Sequence, residues 1–132
     1  MADARSPVER PLSPHLQIYK PSLTMTMSIV HRITGGALYL GTILLTAFLV
    51  AAASGIGAYD TAAAIYGSWF GQLVLFGYTW ALLHHMAGGL RHLIWDTGRG
   101  LTDPARETIV KATLIGSVVA TVGIWVIALA AR

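Results

Sequence analysis

Residues 61–90 read TAAAIYGSWFGQLVLFGYTWALLHHMAGGL. The stretch contains no Asp, Glu, Lys or Arg, and it is longer than the roughly 20 residues that span hydrocarbon as a helix. Stretches 33–59 and 112–131 share the property and are rich in Leu, Ile, Val, Ala and Gly. One such stretch is equally readable as the core helix of a soluble protein. Three in a chain of 132 residues leave little polar sequence for a soluble surface. Charged residues make up 11%, against about 25% in soluble domains, and mean hydropathy is +0.61. The sequence therefore predicts an all-α integral membrane protein, one membrane domain over 1–132. Its three transmembrane helices are expected over roughly 28–55, 64–95 and 105–131, after a short N-terminal cytoplasmic segment.

The first apolar stretch begins too late and runs too long for a signal peptide. The short segment before RPLSPHLQIY carries Asp3 and Glu9, unlike a mitochondrial transit peptide. The expectation is a bacterial chain in the inner (cytoplasmic) membrane. There are no cysteines, which excludes disulfides, thiolate metal sites and cysteine-held iron–sulfur clusters within the chain. The net charge of +3 is small and no nucleic-acid partner is expected.

Orientation follows from the loops. Arg5, Arg10, Lys20 and Arg32 precede the first span, and Arg91, Arg99, Arg106 and Lys111 cluster around the second connection. The first connection, near SGIGAYDTAAA, has no Lys or Arg. Positive loops stay inside, so the N-terminus is expected in the cytoplasm and the C-terminus in the periplasm, with Arg132 alone opposing. Pro21 and Ser22 suit a helix start. In LTDPARE, Asp103 is the expected N-cap and Pro104 the first helical residue.

Ionisable side chains inside a membrane span mark function by default. His85, Gly88, Gly89 and His92 share one helical face, and His84, Gly88 and Arg91 an adjacent one. A neutral imidazole can ligate haem iron, a glycine one turn away gives a porphyrin room, and a cation further along can meet propionates. The alternative is that the histidines hydrogen-bond across a helix interface and the glycines serve packing. Spacing alone does not choose between these readings, nor between His84 and His85. A second polar group, in TMTMSIVHRITGG, places Ser28, His31 and Arg32 within one turn, where they can converge on one patch. An interfacial anchor with Arg32 snorkelling to water is the plainer reading.

Together, RPLSPHLQIYKPSLTMTMSIVHRITGG (10–36) and HHMAGGLRHLIWDTGRG (84–100) closely resemble the cytochrome b membrane anchors of succinate dehydrogenase, respiratory complex II. The resemblance covers essentially the whole chain and implies one part of a multi-helix anchor bundle. It implies partners: a second membrane anchor subunit, an iron–sulfur subunit and a flavoprotein subunit, with membrane lipid around them. It implies haem b, shared with the second anchor, and ubiquinone as substrate. The family's axial histidine lies seven residues before the histidine of the RH pair, which is His85 here. By the same resemblance Ser28 and Arg32 lie at the ubiquinone headgroup, His31 and Arg32 near a haem propionate, and Asp96 near the quinone. The chain has no dinucleotide motif and no cluster ligand, so it is expected to be a component of an enzyme, not catalytic alone. A fumarate reductase anchor and a haem-free membrane scaffold are the competing readings.

Overall fold

In the computed structural model, His15 and residues 18–131 are described, and all regular structure among them is helical. Helix α1 spans Leu23–Ala53, α2 Ile56–Gly67, α3 Trp69–Asp96 and α4 Asp103–Ala130. Ser22 caps α1, its hydroxyl accepting from the Met25 amide at 3.3 Å. At roughly 1.5 Å per residue, α1, α3 and α4 each exceed a hydrocarbon core of about 30 Å. Two of them, α1 and α4, are both long and apolar enough to cross a bilayer. The third, α3, has 28 residues but is diluted by Gln72, Tyr78, Trp80, His84, His85, Arg91 and His92.

Two local expectations are corrected. The first connection is not a loop: most of it folds as α2. The chain turns into α2 at Gly55, whose φ of 115° only glycine adopts readily. It turns out of α2 at Ser68, which ends that helix and caps the next. The Ser68 hydroxyl donates to the Ile65 carbonyl at 2.6 Å and accepts from the Gly71 amide at 3.1 Å. The long helix therefore starts at Trp69, later than the expected span start at 64. The second correction is the cap of α4. Thr102 is the N-cap and makes no side-chain capping bond, while Asp103 is the first helical residue and pairs with Arg106.

The connection from α3 to α4 reverses the chain through Gly98 (φ 77°) and Gly100 (φ 71°), the left-handed glycine ending that helices favour. Helix α3 packs against both α1 and α4, which touch each other less. At the far end α2 rests on α1 and α3, and the Tyr66 hydroxyl donates to the Leu44 carbonyl at 2.7 Å.

The interior is inverted relative to a soluble domain. Its buried apolar residues are Met27, Ala62, Ala81 and Val110, while Thr34, His84, Arg91, Thr113, Ser117 and Thr121 are buried and polar. Large apolar side chains face outward: Tyr39 is 75% exposed and Ile127 70%. Small and polar residues between helices, with Ile and Leu outside, is the pattern of a membrane bundle.

Candidate functional site

The histidines meet where the first half of α1 faces the last half of α3. His31 projects from α1 across Gly88, whose missing side chain makes room for the ring. The His31 and His85 rings stack with centroids 4.0 Å apart and planes 4° from parallel. His92 joins them, its ring 5.4 Å from that of His31. Gly35 backs the group: a Cβ there would lie 2.9 Å from His85 Cε1.

The two neighbouring histidines of α3 have different partners. His85 Nδ1 lies 3.1 Å from the His31 carbonyl oxygen, which also accepts the Thr34 hydroxyl at 2.9 Å. A carbonyl only accepts, so neutral His85 carries its proton on Nδ1 and leaves a lone pair on Nε2. His85 is partly buried. His84 points to α4 and is fully buried, 0% exposed. The Ser117 hydroxyl spends its one proton on the Leu114 carbonyl at 2.8 Å, so it accepts from His84 Nδ1 at 3.2 Å. His84 Nε2 is enclosed and has no partner among the described residues.

Arg91 lies two turns beyond His84 on the same face of α3. It is buried, with Nε and Nη1 unpartnered among the described residues. Its guanidinium sits 5.1 Å from the Trp95 ring centroid.

Ser28 and Arg32 are exposed on the outer side of α1, one turn apart, whereas His31 turns inward. The three do not form one patch within this chain. Neither the Ser28 nor the Arg32 side chain hydrogen-bonds to another described residue. Asp96 ends α3 and is exposed.

This juxtaposition of SIVHR and GGLRHLIWD can be set against known proteins. A family model described as the succinate dehydrogenase/fumarate reductase transmembrane subunit matches residues 6–124. The chain belongs to this family. It is 46% identical over 113 residues to the succinate dehydrogenase cytochrome b556 subunit of Paracoccus denitrificans, covering 86% of this chain and 87% of that one. The cytochrome b556 subunit of Rickettsia prowazekii is 36% identical over 121 residues, covering 89% and 92%. The mitochondrial cytochrome b560 subunit of Sus scrofa is 40% identical over 117 residues, covering 87% and 69%. Membership makes the chain a membrane-anchor subunit of this enzyme, so lipid or partner protein faces the exposed apolar side chains.

Sequence reasoning missed Thr34, Gly35 and Ser117. Thr34 and Gly35 stand one turn after His31. Ser117 belongs to a series, Thr113, Ser117 and Thr121, at helical spacing in the last apolar stretch. That series was the available signal for a polar seam.

Proposed function

We propose that the chain is the cytochrome b anchor of a succinate:ubiquinone oxidoreductase. It crosses the membrane three times, through α1, α3 and α4, and assembles with a second anchor, an iron–sulfur subunit and a flavoprotein subunit. His85 is the residue of this chain that would hold haem b, together with a ligand from the second anchor. The observation that carries this reading is the contrast between the two histidines. His85 has Nδ1 tied to the His31 carbonyl, the kind of bond that orients an iron-ligating imidazole from behind. His84 has its lone pair sealed between helices. Gly35 and Gly88 keep side chains clear of the two stacked rings. Bound haem supplies a one-electron redox centre in a low-dielectric setting. Arg32 and His31 are the chain's groups for its propionates.

Ser28 and Arg32 form part of the ubiquinone site. The Ser28 hydroxyl donates to a headgroup carbonyl, and the permanent guanidinium charge of Arg32 stabilises negative charge that develops there on reduction. Apolar surface of α1 beside them, including Ile29 and Ile33, suits an isoprenoid tail. Asp96, at the same end, stands near the quinone and the aqueous proton supply. The family description also covers fumarate reductase, but the relatives above are named for succinate dehydrogenase, which favours electron flow toward quinone.

The test is a reduced-minus-oxidised visible spectrum of the complex purified with its partners. A b-type spectrum that disappears in His85→Ala and persists in His84→Ala is expected. Loss in His84→Ala with retention in His85→Ala shifts the ligand by one position, and the absence of any haem spectrum in the wild type overturns the reading.

A further inference from the structure

We propose that His84 and Ser117 form an interhelical latch that sets the roll of α3 and thereby the ring plane of His85. The inference rests on the haem reading above, and it gives His84 a positioning role without contact to the haem.

The argument starts from helix geometry. Consecutive residues on an α-helix point about 100° apart. A bond that holds His84 toward α4 therefore holds His85 toward the α1 side. His84 makes such a bond: its Nδ1 lies 3.2 Å from the Ser117 hydroxyl, deep between α3 and α4. The donor direction is forced, because Ser117 already donates to Leu114. The Trp80 ring stacks on His84 at 5.2 Å and 28°, limiting rotation of the imidazole. A second tie lies further along the same interface, where Trp125 Nε1 donates to the Thr79 hydroxyl at 3.2 Å.

On the α1 side, His85 is held by the His31 carbonyl and the His31 ring. These contacts fix where the imidazole sits relative to α1. The latch fixes the helix that carries it. With both in place, α3 cannot roll without breaking the buried bond to Ser117 or the part-buried bond to His31. With the latch removed, α3 is free to roll, and the contacts to His31 alone no longer fix the imidazole plane. The buried stripe Thr113, Ser117 and Thr121 supports this: their hydroxyls bond back to carbonyls of α4, and only Ser117 also reaches an α3 histidine.

The plane of an axial imidazole is read directly by the low-field g value of low-spin ferric haem in electron paramagnetic resonance. The experiment uses the assembled complex and compares Ser117→Ala, His84→Phe, His84→Asn and the double variant Ser117→Ala/His84→Phe. Ser117→Ala removes one oxygen atom and keeps the helix-forming character of α4, so assembly is retained. Asn retains an amide donor near the position of the imidazole Nδ1. The expected result is a wild-type optical b-type spectrum throughout. The g value and the midpoint potential are displaced in Ser117→Ala and His84→Phe, no further in the double variant, and are restored toward wild type in His84→Asn. Wild-type g values and potentials in both single variants, with full haem content, overturn the latch and leave His84 as a packing residue. A failure of His85 as ligand is distinguishable, since it appears as haem retained in His85→Ala.

Discussion

At the residue scale, the most unusual group is Arg91, a cation buried in a membrane bundle without a carboxylate partner among the described residues. Its nearest compensation is the face of Trp95 at 5.1 Å, a cation–π contact worth about 0.5–2 kcal/mol. Trp95→Leu should lower the melting temperature of the purified complex. The loss should shrink by roughly 0.5–2 kcal/mol in an Arg91→Met background, where no charge is left bare. Equal losses in both backgrounds would remove Trp95 as the partner. Ser28 and Arg32 make a different prediction, because they face outward toward the proposed headgroup. A lost neutral hydrogen bond costs about 0.5–1.5 kcal/mol and a charged one about 1.5–3 kcal/mol. Ser28→Ala should thus raise the KM for ubiquinone modestly and Arg32→Leu more strongly. Both should spare succinate-driven reduction of an artificial acceptor that takes electrons upstream. Wild-type quinone kinetics in both assembled variants would leave Arg32 as an interfacial anchor only.

At the element scale, the corner between α2 and α3 decides where the long helix starts. Gly71 is confined there by backbone: a Cβ would meet the Ile65 carbonyl and lie 2.7 Å from the Tyr66 carbonyl. Neither atom can rotate away, so Gly71→Ala should destabilise the complex by about 1–3 kcal/mol, the range for overpacking. Gly57→Ala, in α2 with nothing within 4 Å of the added atom, should be neutral or stabilise by about 0.5–1 kcal/mol. Thermal unfolding followed by circular dichroism separates the two, and equal effects would discard the corner argument. This corner also shows what was legible in advance. The long apolar helices were readable because charge is absent over lengths that only a bilayer or a core tolerates. Helix α2 was not, because its 12 residues carry no marked apolar stripe and sit beside turn-forming glycines. The serine cap at Ser68 followed by Gly71 was a signal that the unbroken charge-free run concealed. The histidine cluster was readable as a cluster from spacing within α3. The division of labour between His84 and His85 was not, because it depends on His31 and Ser117, which belong to other helices. Likewise Ser28, His31 and Arg32 share a turn, yet the packing of α1 on α3 turns His31 in and leaves the other two out.

At the scale of the whole molecule, the histidines and nearly all charged side chains among the described residues of the helices collect at one end. Ser28, His31 and Arg32 lie near the start of α1, His85 to Asp96 near the end of α3, and the pair Asp103–Arg106 at the start of α4. The opposite end carries α2, whose one charged residue is Asp60. By the positive-inside rule, the Lys and Arg residues around the site end predict that it faces the inside. Lys20, Arg32, Arg91, Arg99, Arg106 and Lys111 all count toward this, against Arg132 at the C-terminus of the sequence. That side must also deliver protons if quinone is reduced beside Ser28 and Arg32. Truncation fusions test the placement. An alkaline phosphatase joined after Gly57 should be active, because that enzyme folds only where disulfides form, in the periplasm. The same reporter joined after Gly100 should be inactive. A fluorescent protein that folds only in the cytoplasm should give the reciprocal pattern. Activity after Gly100 with silence after Gly57 would invert the bundle and move the quinone patch to the periplasmic face. Activity at both positions would mean that α3 does not cross.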